Sequence, residues 1–510
     1  MNDNILIFKN TGILFFRLVF TSLVGLFSSR FIIQSLGAID FGLYSIVGSI
    51  VVMMGFFNTV MTTITHRFIA YEMGKGSKGE LNKVFNISMV IHIGLAFALV
   101  LLTETIGVYY VLNFLNVDAS KLSDALFVLR FSTYAMFFSI LSIPFQGLVT
   151  AQERFKISLF IEIVRSTLLF LIAFSILFFW KDKLRVYSML IAIASIIPAS
   201  MFILYCKRNY KLITKWNFQR DKRKYKEMIS FSSWMIIGTS ALVGKTTGTA
   251  LIINSFFGTL LNAAYGIANQ VNSIVLMFAQ NLGQAAIPQI TKSFSSGNNN
   301  RTLTLVTYIS KYTFFLMLIP ALPILLDTEL ILTIWLGELP AYTVIFSQLM
   351  IINALIESIN SGISSAVNAT GNIKYFQIIL STIVLLSLPI SYFLFKAGFP
   401  PTSILFAFIS TSILNVVIRQ ILLKKILNFN VIYFLKTSYL KILYVSLTIT
   451  PLFLVHDLFP RGMSRLIFFS LAAFFWLLAA IILFGLNGNE KKLLQSIISN
   501  SISKFKPCTI

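Results

Sequence analysis

A few ionisable residues sit in stretches of this chain that are otherwise apolar, where a charge is costly. Arg17, Arg30, Lys245 and Glu357 all fall in such surroundings. A charge at membrane depth faces a cavity or a partner, because lipid tails do not solvate it. Lys245 is the hardest to explain as a snorkelling side chain. It lies ~16 Å from the nearer end of its stretch at 1.5 Å per helical residue. Two polar stripes accompany these charges. Glu357, Ser361, Ser364 or Ser365, and Asn368 recur at helical spacing, as do Asn269, Ser273, Gln280 and Gln284. Such stripes form a water-lined wall, and the same residue types also join helices to one another by hydrogen bonds. Both uses are open at this point. Glu162 precedes Arg165 by three residues, the spacing of an intrahelical ion pair. Arg130, Arg165, Lys311, Arg419 and Lys441 lie nearer the ends of their stretches, where a long side chain reaches the interface.

Other chemistries find little support. Gly244-Lys245-Thr246 follows Gly238 and imitates the end of a phosphate-binding loop. Five residues separate the glycines where that motif has four, and no strand or soluble domain precedes it. His66, His92 and His456 have no metal-ligand spacing. His66 is expected at the interface and the other two are isolated. No catalytic constellation and no cofactor motif is found, so the chain reads as a transporter and not an enzyme. Cys206 and Cys508 are far apart and are not expected to pair.

The elements that position these residues follow from composition. Hydrophobic residues make up 57% of the 510 and charged residues 12%, against roughly 25% charged in a soluble domain. A span needs ~20 apolar residues. Fourteen stretches qualify, near 11–33, 41–62, 86–112, 125–149, 157–180, 186–206, 229–255, 264–288, 303–326, 341–368, 375–395, 402–423, 436–456 and 463–486. The expected class is therefore an all-α integral membrane protein of about 14 transmembrane helices. No cleaved signal peptide is expected. The net charge of +23 is distributed unevenly. Segments on the side of the termini hold 26 Lys and Arg, and the opposite loops hold 7. The positive-inside rule then puts both termini in the cytoplasm. The basic balance is thus topological, and no soluble module is present to bind nucleic acid. One loop runs against the trend. Trp180-Lys-Asp-Lys-Leu-Arg185 places three cations on the outer side. The segment 207–228 carries nine cations and is read as a topological anchor and linker that lies against anionic lipid headgroups.

The two halves align without a gap at an offset of 221 residues. Ile32 matches Ile253, Gly37 matches Gly258, Tyr44 matches Tyr265, Ile46 matches Ile267, Phe57 matches Phe278, and Gly76 matches Gly297. The offset equals six spans, so the repeats share one orientation in the membrane, as in transporters built from parallel halves. The expected division is an N-terminal six-helix lobe over 1–206, a basic cytoplasmic linker over 207–228, a C-terminal six-helix lobe over 229–427, and two extra helices with a tail over 428–510.

Particular stretches resemble a known family. Asn262-Ala-Ala-Tyr-Gly-Ile-Ala-Asn-Gln270, Gln284-Ala-Ala-Ile-Pro-Gln289, Phe41-Gly-Leu-Tyr44 and Phe231-Ser-Ser-Trp-Met235 are similar to those of Wzx-type polysaccharide flippases. These belong to the superfamily that also holds MATE drug exporters and lipid II flippases. The resemblance implies a V-shaped pair of six-helix lobes, a central cavity and alternating access. It implies an undecaprenyl-pyrophosphate-linked oligosaccharide as cargo, for O-antigen or capsule assembly at the bacterial inner membrane. Arg17, Arg30 and Lys245 would then neutralise the pyrophosphate. Asn269, Ser273, Gln280, Gln284, Ser361 and Asn368 would contact sugars, and Glu357 would couple an H+ or Na+ gradient. A polysaccharide polymerase and glycosyltransferases would be partners of the same pathway. The alternatives are a MATE-type cation-coupled drug exporter, which needs membrane carboxylates more than cations, and a lipid II-type flippase.

Overall fold

The computed structural model describes residues 56–492 almost continuously and scattered positions between 12 and 47; residues 1–11, 114–118 and 493–510 are among those outside it. Among the described residues every regular element is helical. This follows from the solvent, because a chain in lipid must satisfy its backbone polar groups within each segment. Ten helices are long and apolar enough to cross a membrane, or eleven with a bent pair counted as one span. The expected spans 11–33 and 41–62 are described only in part. The expected span 264–288 is helical throughout. Large apolar side chains such as Phe97, Leu204, Leu251, Phe393, Leu454 and Leu483 are exposed on the helix surfaces. Patches of this extent face lipid, since water would not tolerate them. The chain is a multi-pass membrane protein.

The described helices are α1 (Phe56–Gly74), α2 (Lys78–Leu102), α3 (Leu122–Ala151), α4 (Phe155–Phe179) and α5 (Lys183–Asn209), followed by α6 (Lys222–Ser295). After these come α7 (Asn299–Leu326), α8 (Thr343–Ser358), α9 (Ser361–Thr370), α10 (Lys374–Lys396), α11 (Ser403–Leu427), α12 (Leu440–His456) and α13 (Met463–Ala480). They fall into two compact units. The first is Ile7–Thr239 with Thr291–Gly297, and the second is Ser240–Ile290 and Asn298–Ile510 with Met1–Leu6.

In the first unit α3 is the central helix, packed by α1, α2 and α5. Its Val128, Leu129, Ile140 and Leu148 are fully buried, and Phe145 meets Phe85 of α2 edge to face at 5.2 Å. The basic segment after α5 is docked on α2. Asn82 donates to the carbonyls of Leu212, Ile213 and Lys215, and Asn86 donates to Lys215 and accepts from the amide of Asn217. Asp221 caps α6 through the Lys224 amide at 3.0 Å and pairs with Lys83 at 2.6 Å. The Lys83 hydrogen bond, with the Lys224 amide behind it, holds the Asp221 carboxyl below its usual range.

In the second unit α7 is the pillar. Phe314, Phe315, Met317, Leu318 and Ala321 pack against Ile351, Ala354 and Leu355 of α8, against Ile442, Val445 and Ile449 of α12, and against Ala473, Leu477 and Ala480 of α13. The last two helices therefore share the core of this unit. Matched glycines of the sequence repeat agree in backbone as well as in type. Gly37 and Gly258 have φ of +73° and +79°, and Gly76 and Gly297 have φ of +72° and +76°. Each is a left-handed position that a side chain would strain. At Gly258 this conformation interrupts α6 and makes the turn between two spans.

The stretch expected as one span over 341–368 is broken. α8 and α9 meet at 45°. No proline lies there; the cause is diverted hydrogen bonding, one of the established origins of kinks. The Gly362 amide donates to Ser310 Oγ of α7 at 3.2 Å instead of to its own helix, and Ser358 Oγ donates to the Leu355 carbonyl at 2.7 Å. Gly362 also lets α9 touch α7. A Cβ there would fall 2.2 Å from the Val306 carbonyl oxygen and 2.7 Å from Ser310 Oγ. Gly362→Ala is expected to cost about 1–3 kcal/mol by overpacking. A thermal melt of the purified variant checks this, and an unchanged melting temperature would mean that α9 does not bear on α7 this closely.

Candidate functional site

The break between α8 and α9 exposes the carboxylate that precedes it. Glu357 lies in the last turn of α8 with its side chain 40% accessible, and Lys245 of α6 faces it with 11% accessible. Their nearest charged atoms are 3.7 Å apart, an ion pair that is not a close hydrogen bond. Lys245 Nζ sits 4.0 Å from the centre of the Phe408 ring of α11, a cation–π contact in a desolvated setting. Glu357 Oε1 accepts from Ser412 Oγ at 2.9 Å and from Asn353 Nδ2 at 3.4 Å, and Ser412 Oγ lies 2.8 Å from Asn353 Oδ1. The carboxylate is thus held by α6, α8 and α11 together, all in the second unit.

The polar wall continues along α9 and α11. Arg419 interacts electrostatically with Glu357, and its buried Nε has no hydrogen-bond partner among the described residues. Ser361 Oγ, Asn368 Oδ1 and Asn415 Oδ1 are also buried without one. Tyr439 Oη accepts from Gln420 Nε2 at 2.6 Å and donates to Asn360 Oδ1 at 2.9 Å. Buried polar atoms left without partners are rare and call for an explanation. Ser361 and Asn368 both belong to α9, the helix that follows the break. The Glu357–Lys245 pair and the arginine behind it escaped the sequence reading, which gave the two charges separate roles and left Arg419 to snorkel. Period-3.6 reasoning groups residues of one helix, and these three come from α8, α6 and α11.

The other expected site residues are placed as follows. Asn269 and Ser273 lie on α6 beyond Gly258, and Ser273 Oγ donates to the Asn269 carbonyl at 2.8 Å, a bond within its own helix. Arg30 lies outside the described residues, as do the side chains of Gln280 and Gln284. Arg17 belongs to the first unit and interacts electrostatically with Glu162. Glu162 also pairs with Arg165 at 3.0 Å, the expected intrahelical pair.

Two expectations away from the site are corrected. Lys311 does not snorkel. It is fully buried, donates to both oxygens of Glu490 at 2.8 and 2.7 Å, and also donates to the Gly485 carbonyl at 3.1 Å. His456 is not isolated. Its Nε2 lies 2.9 Å from Asp327 Oδ2 and its Nδ1 3.1 Å from Asp457 Oδ1, and Arg465 donates to Asp327 Oδ1. The middle of α7 and its C-cap residue are therefore both tied to the C-terminal segment.

His66, expected at the interface, is buried in the first unit. Burial pushes its pKa down from 6.5 to about 4, with the Lys292 charge adding to the effect. Between those two values the unfolded chain binds a proton and the folded chain does not, so stability falls as pH drops through that window. At pH 5 the loss from this residue is on the order of 2 kcal/mol, at 1.36 kcal/mol per pKa unit. His66→Gln should flatten the decline in melting temperature between pH 7 and pH 5; an unchanged slope would assign that decline to other groups.

This architecture, with long apolar helices in two units and a broken helix beside an ion pair, is similar to the fold of solved membrane transporters of the MOP superfamily. Three solved structures show the likeness. A MOP superfamily transporter from Pyrococcus furiosus, described as having a binding pocket of reversed polarity, aligns with a TM-score of 0.70 at 11% identity over 84% of this chain and 98% of its own. An outward-facing multidrug resistance MATE family transporter aligns with a TM-score of 0.71 at 12% identity over 84% and 96%. The MATE transporter ClbM in complex with Rb+ aligns with a TM-score of 0.66 at 15% identity over 83% and 94%. Residues 7–294 match the family described as polysaccharide biosynthesis protein, and the chain belongs to that family. No curated protein matches the chain.

Proposed function

We propose that this protein flips undecaprenyl-pyrophosphate-linked oligosaccharide repeat units from the cytoplasmic to the outer leaflet of the bacterial inner membrane. It does so by alternating access, in O-antigen or capsule biosynthesis, with both termini in the cytoplasm. The observation that carries the reading is Lys245, a mid-span cation held only loosely by Glu357 beside a wall of unsatisfied polar groups. Membership in the polysaccharide biosynthesis family directs this site towards a glycan cargo. No bond is made or broken. Lys245, with Arg419 behind it, offers positive charge to the pyrophosphate. Arg17 and Arg30 offer the same charge in their own part of the chain. Ser361 and Asn368 of α9 offer partners to sugar hydroxyls, and Asn269, Ser273, Gln280 and Gln284 do so on α6. A discontinuous helix at a binding site is a recurring device of transporters, because its break releases backbone groups and allows movement. Glu357 exchanges its Lys245 contact for H+ or Na+ as the anion arrives, which links turnover to a gradient.

The test is deletion of the gene in its own host, followed by analysis of lipid-linked oligosaccharides. Accumulation that the wild-type gene clears supports the cargo. Intact surface polysaccharide without accumulation would reject it and leave a MATE-type exporter, whose cationic cargo would take Glu357 as its carboxylate.

A further inference from the structure

The outer loop that ran against the charge bias does not stand alone in the fold. Ser35, Leu36 and Asp40, the turn before α3 and the start of α5 surround a cavity of ≈250 Å³ in the first unit, lined also by Lys121, Asp124 and 182–185. Most of its charge is already committed. Lys121 donates to Asp40 at 2.7 Å and lies 3.7 Å from Asp124. Arg185 donates through Nε to Asp124 at 2.6 Å, and its guanidinium stands 5.6 Å from the Phe127 ring. The three cations of this lining are balanced by the carboxylates of Asp40, Asp124 and Asp182. That balance explains how a basic loop is tolerated on this side.

What remains unused is specific. Ser35 is 8% exposed and its Oγ is buried without a hydrogen-bond partner among the described residues. Asp182, in the left-handed conformation with φ of +49°, and Lys183 have no ion pair among the described residues. A hydroxyl, a carboxylate and an ammonium thus face one neutral cavity. A dense anion would meet the carboxylates, and a metal cation would have to displace Lys121 or Arg185. A polyhydroxylated neutral ring fits better, because each of its hydroxyls donates to a carboxylate and accepts from an ammonium or a hydroxyl at once. The volume equals about eight waters at ~30 Å³ each, room for one pyranose ring.

We propose that this cavity is a monosaccharide-binding subsite, formed by Ser35, Asp182 and Lys183 and held in shape by the Lys121–Asp40 and Arg185–Asp124 pairs. The inference rests on the flippase reading for its purpose, which is to receive a sugar of the cargo on the outer side. Its chemistry is independent of Lys245 and Glu357.

The experiment uses the full-length protein in nanodiscs and saturation-transfer difference NMR with glucose, galactose, N-acetylglucosamine and rhamnose. At least one sugar is expected to show transfer, and excess inorganic phosphate should not displace it. Asp182→Asn combined with Lys183→Gln, both at the surface, should weaken binding at least ~10-fold, the loss of about one hydrogen bond to a charged group. Ser35→Ala should weaken it less, and Lys245→Ala should leave it unchanged. Transfer from none of the sugars, displacement by phosphate, or wild-type affinity in the double variant would overturn the proposal. The flippase reading fails separately. If deletion of the gene causes no accumulation yet the sugar binds through Asp182, the subsite stands and the cargo is wrong. If accumulation occurs and no sugar binds, the cargo stands and the subsite falls.

Discussion

Lys245→Ala should abolish clearance of the accumulated lipid-linked oligosaccharide in the deletion strain, while the variant still reaches the membrane in normal amount. A hydrogen bond to a charged group contributes about 1.5–3 kcal/mol, or roughly 10- to 150-fold at 1.4 kcal/mol per tenfold. The variant should exceed that range, because it removes the cation and also takes from the Glu357 carboxylate its ion-pair partner beside Ser412 and Asn353, leaving it the charge of Arg419. A carboxylate so under-compensated would repel an incoming pyrophosphate. Adding Glu357→Gln to Lys245→Ala removes that repulsion and should recover part of the rate. Glu357→Gln alone discriminates the two roles of the carboxylate. If it only neutralises Lys245, the variant clears oligosaccharide; if it couples an ion gradient, clearance stops although Lys245 is intact. Clearance by Lys245→Ala at the wild-type rate would make this lysine structural and remove the observation on which the site rests.

Lys311→Ala should destabilise the second unit by about 3–5 kcal/mol, the usual loss when one partner of a buried pair is removed. Glu490 would keep a carboxylate that is 4% exposed, with the Asn487 amide at 2.6 Å and the Tyr312 hydroxyl left to hold it. The Gly485 carbonyl would lose its donor as well. Lys311→Met with Glu490→Gln removes both charges and keeps the volume, and the glutamine carbonyl still accepts from Asn487. This double variant should melt close to wild type, since apolar replacement of a buried pair is often neutral. Thermal melts of the purified proteins read both effects. A single variant as stable as wild type would show that the chain after α13 is not held through this pair.

How much of this was legible beforehand depends on how far apart the interacting residues lie. The Glu162–Arg165 pair was visible because i and i+3 lie on one face of any helix. The turn at Gly258 was visible because a glycine stands between two apolar stretches, and the offset of 221 residues tied it to Gly37. The break between α8 and α9 was not legible. The stretch 341–368 holds no proline, and the amide of Gly362 leaves its helix for Ser310, a residue of another helix. The same holds for Lys245 with Glu357, Lys311 with Glu490, and Asp327 with His456 and Arg465.

The sequence by itself determined the solvent, the secondary structure and the mid-span position of Lys245 and Glu357. Lipid acts on each segment separately: a stretch of about twenty apolar residues must become a helix wherever it lies in the chain. Pairing is different, because a buried charge takes whichever opposite charge the packing of helices brings near it. Composition and periodicity carry no record of that distance. Only the tertiary structure decided that Lys245 and Glu357 form one loose pair beside Phe408, that Arg419 stands behind them, and that the cations of an outer loop close a neutral cavity around Ser35.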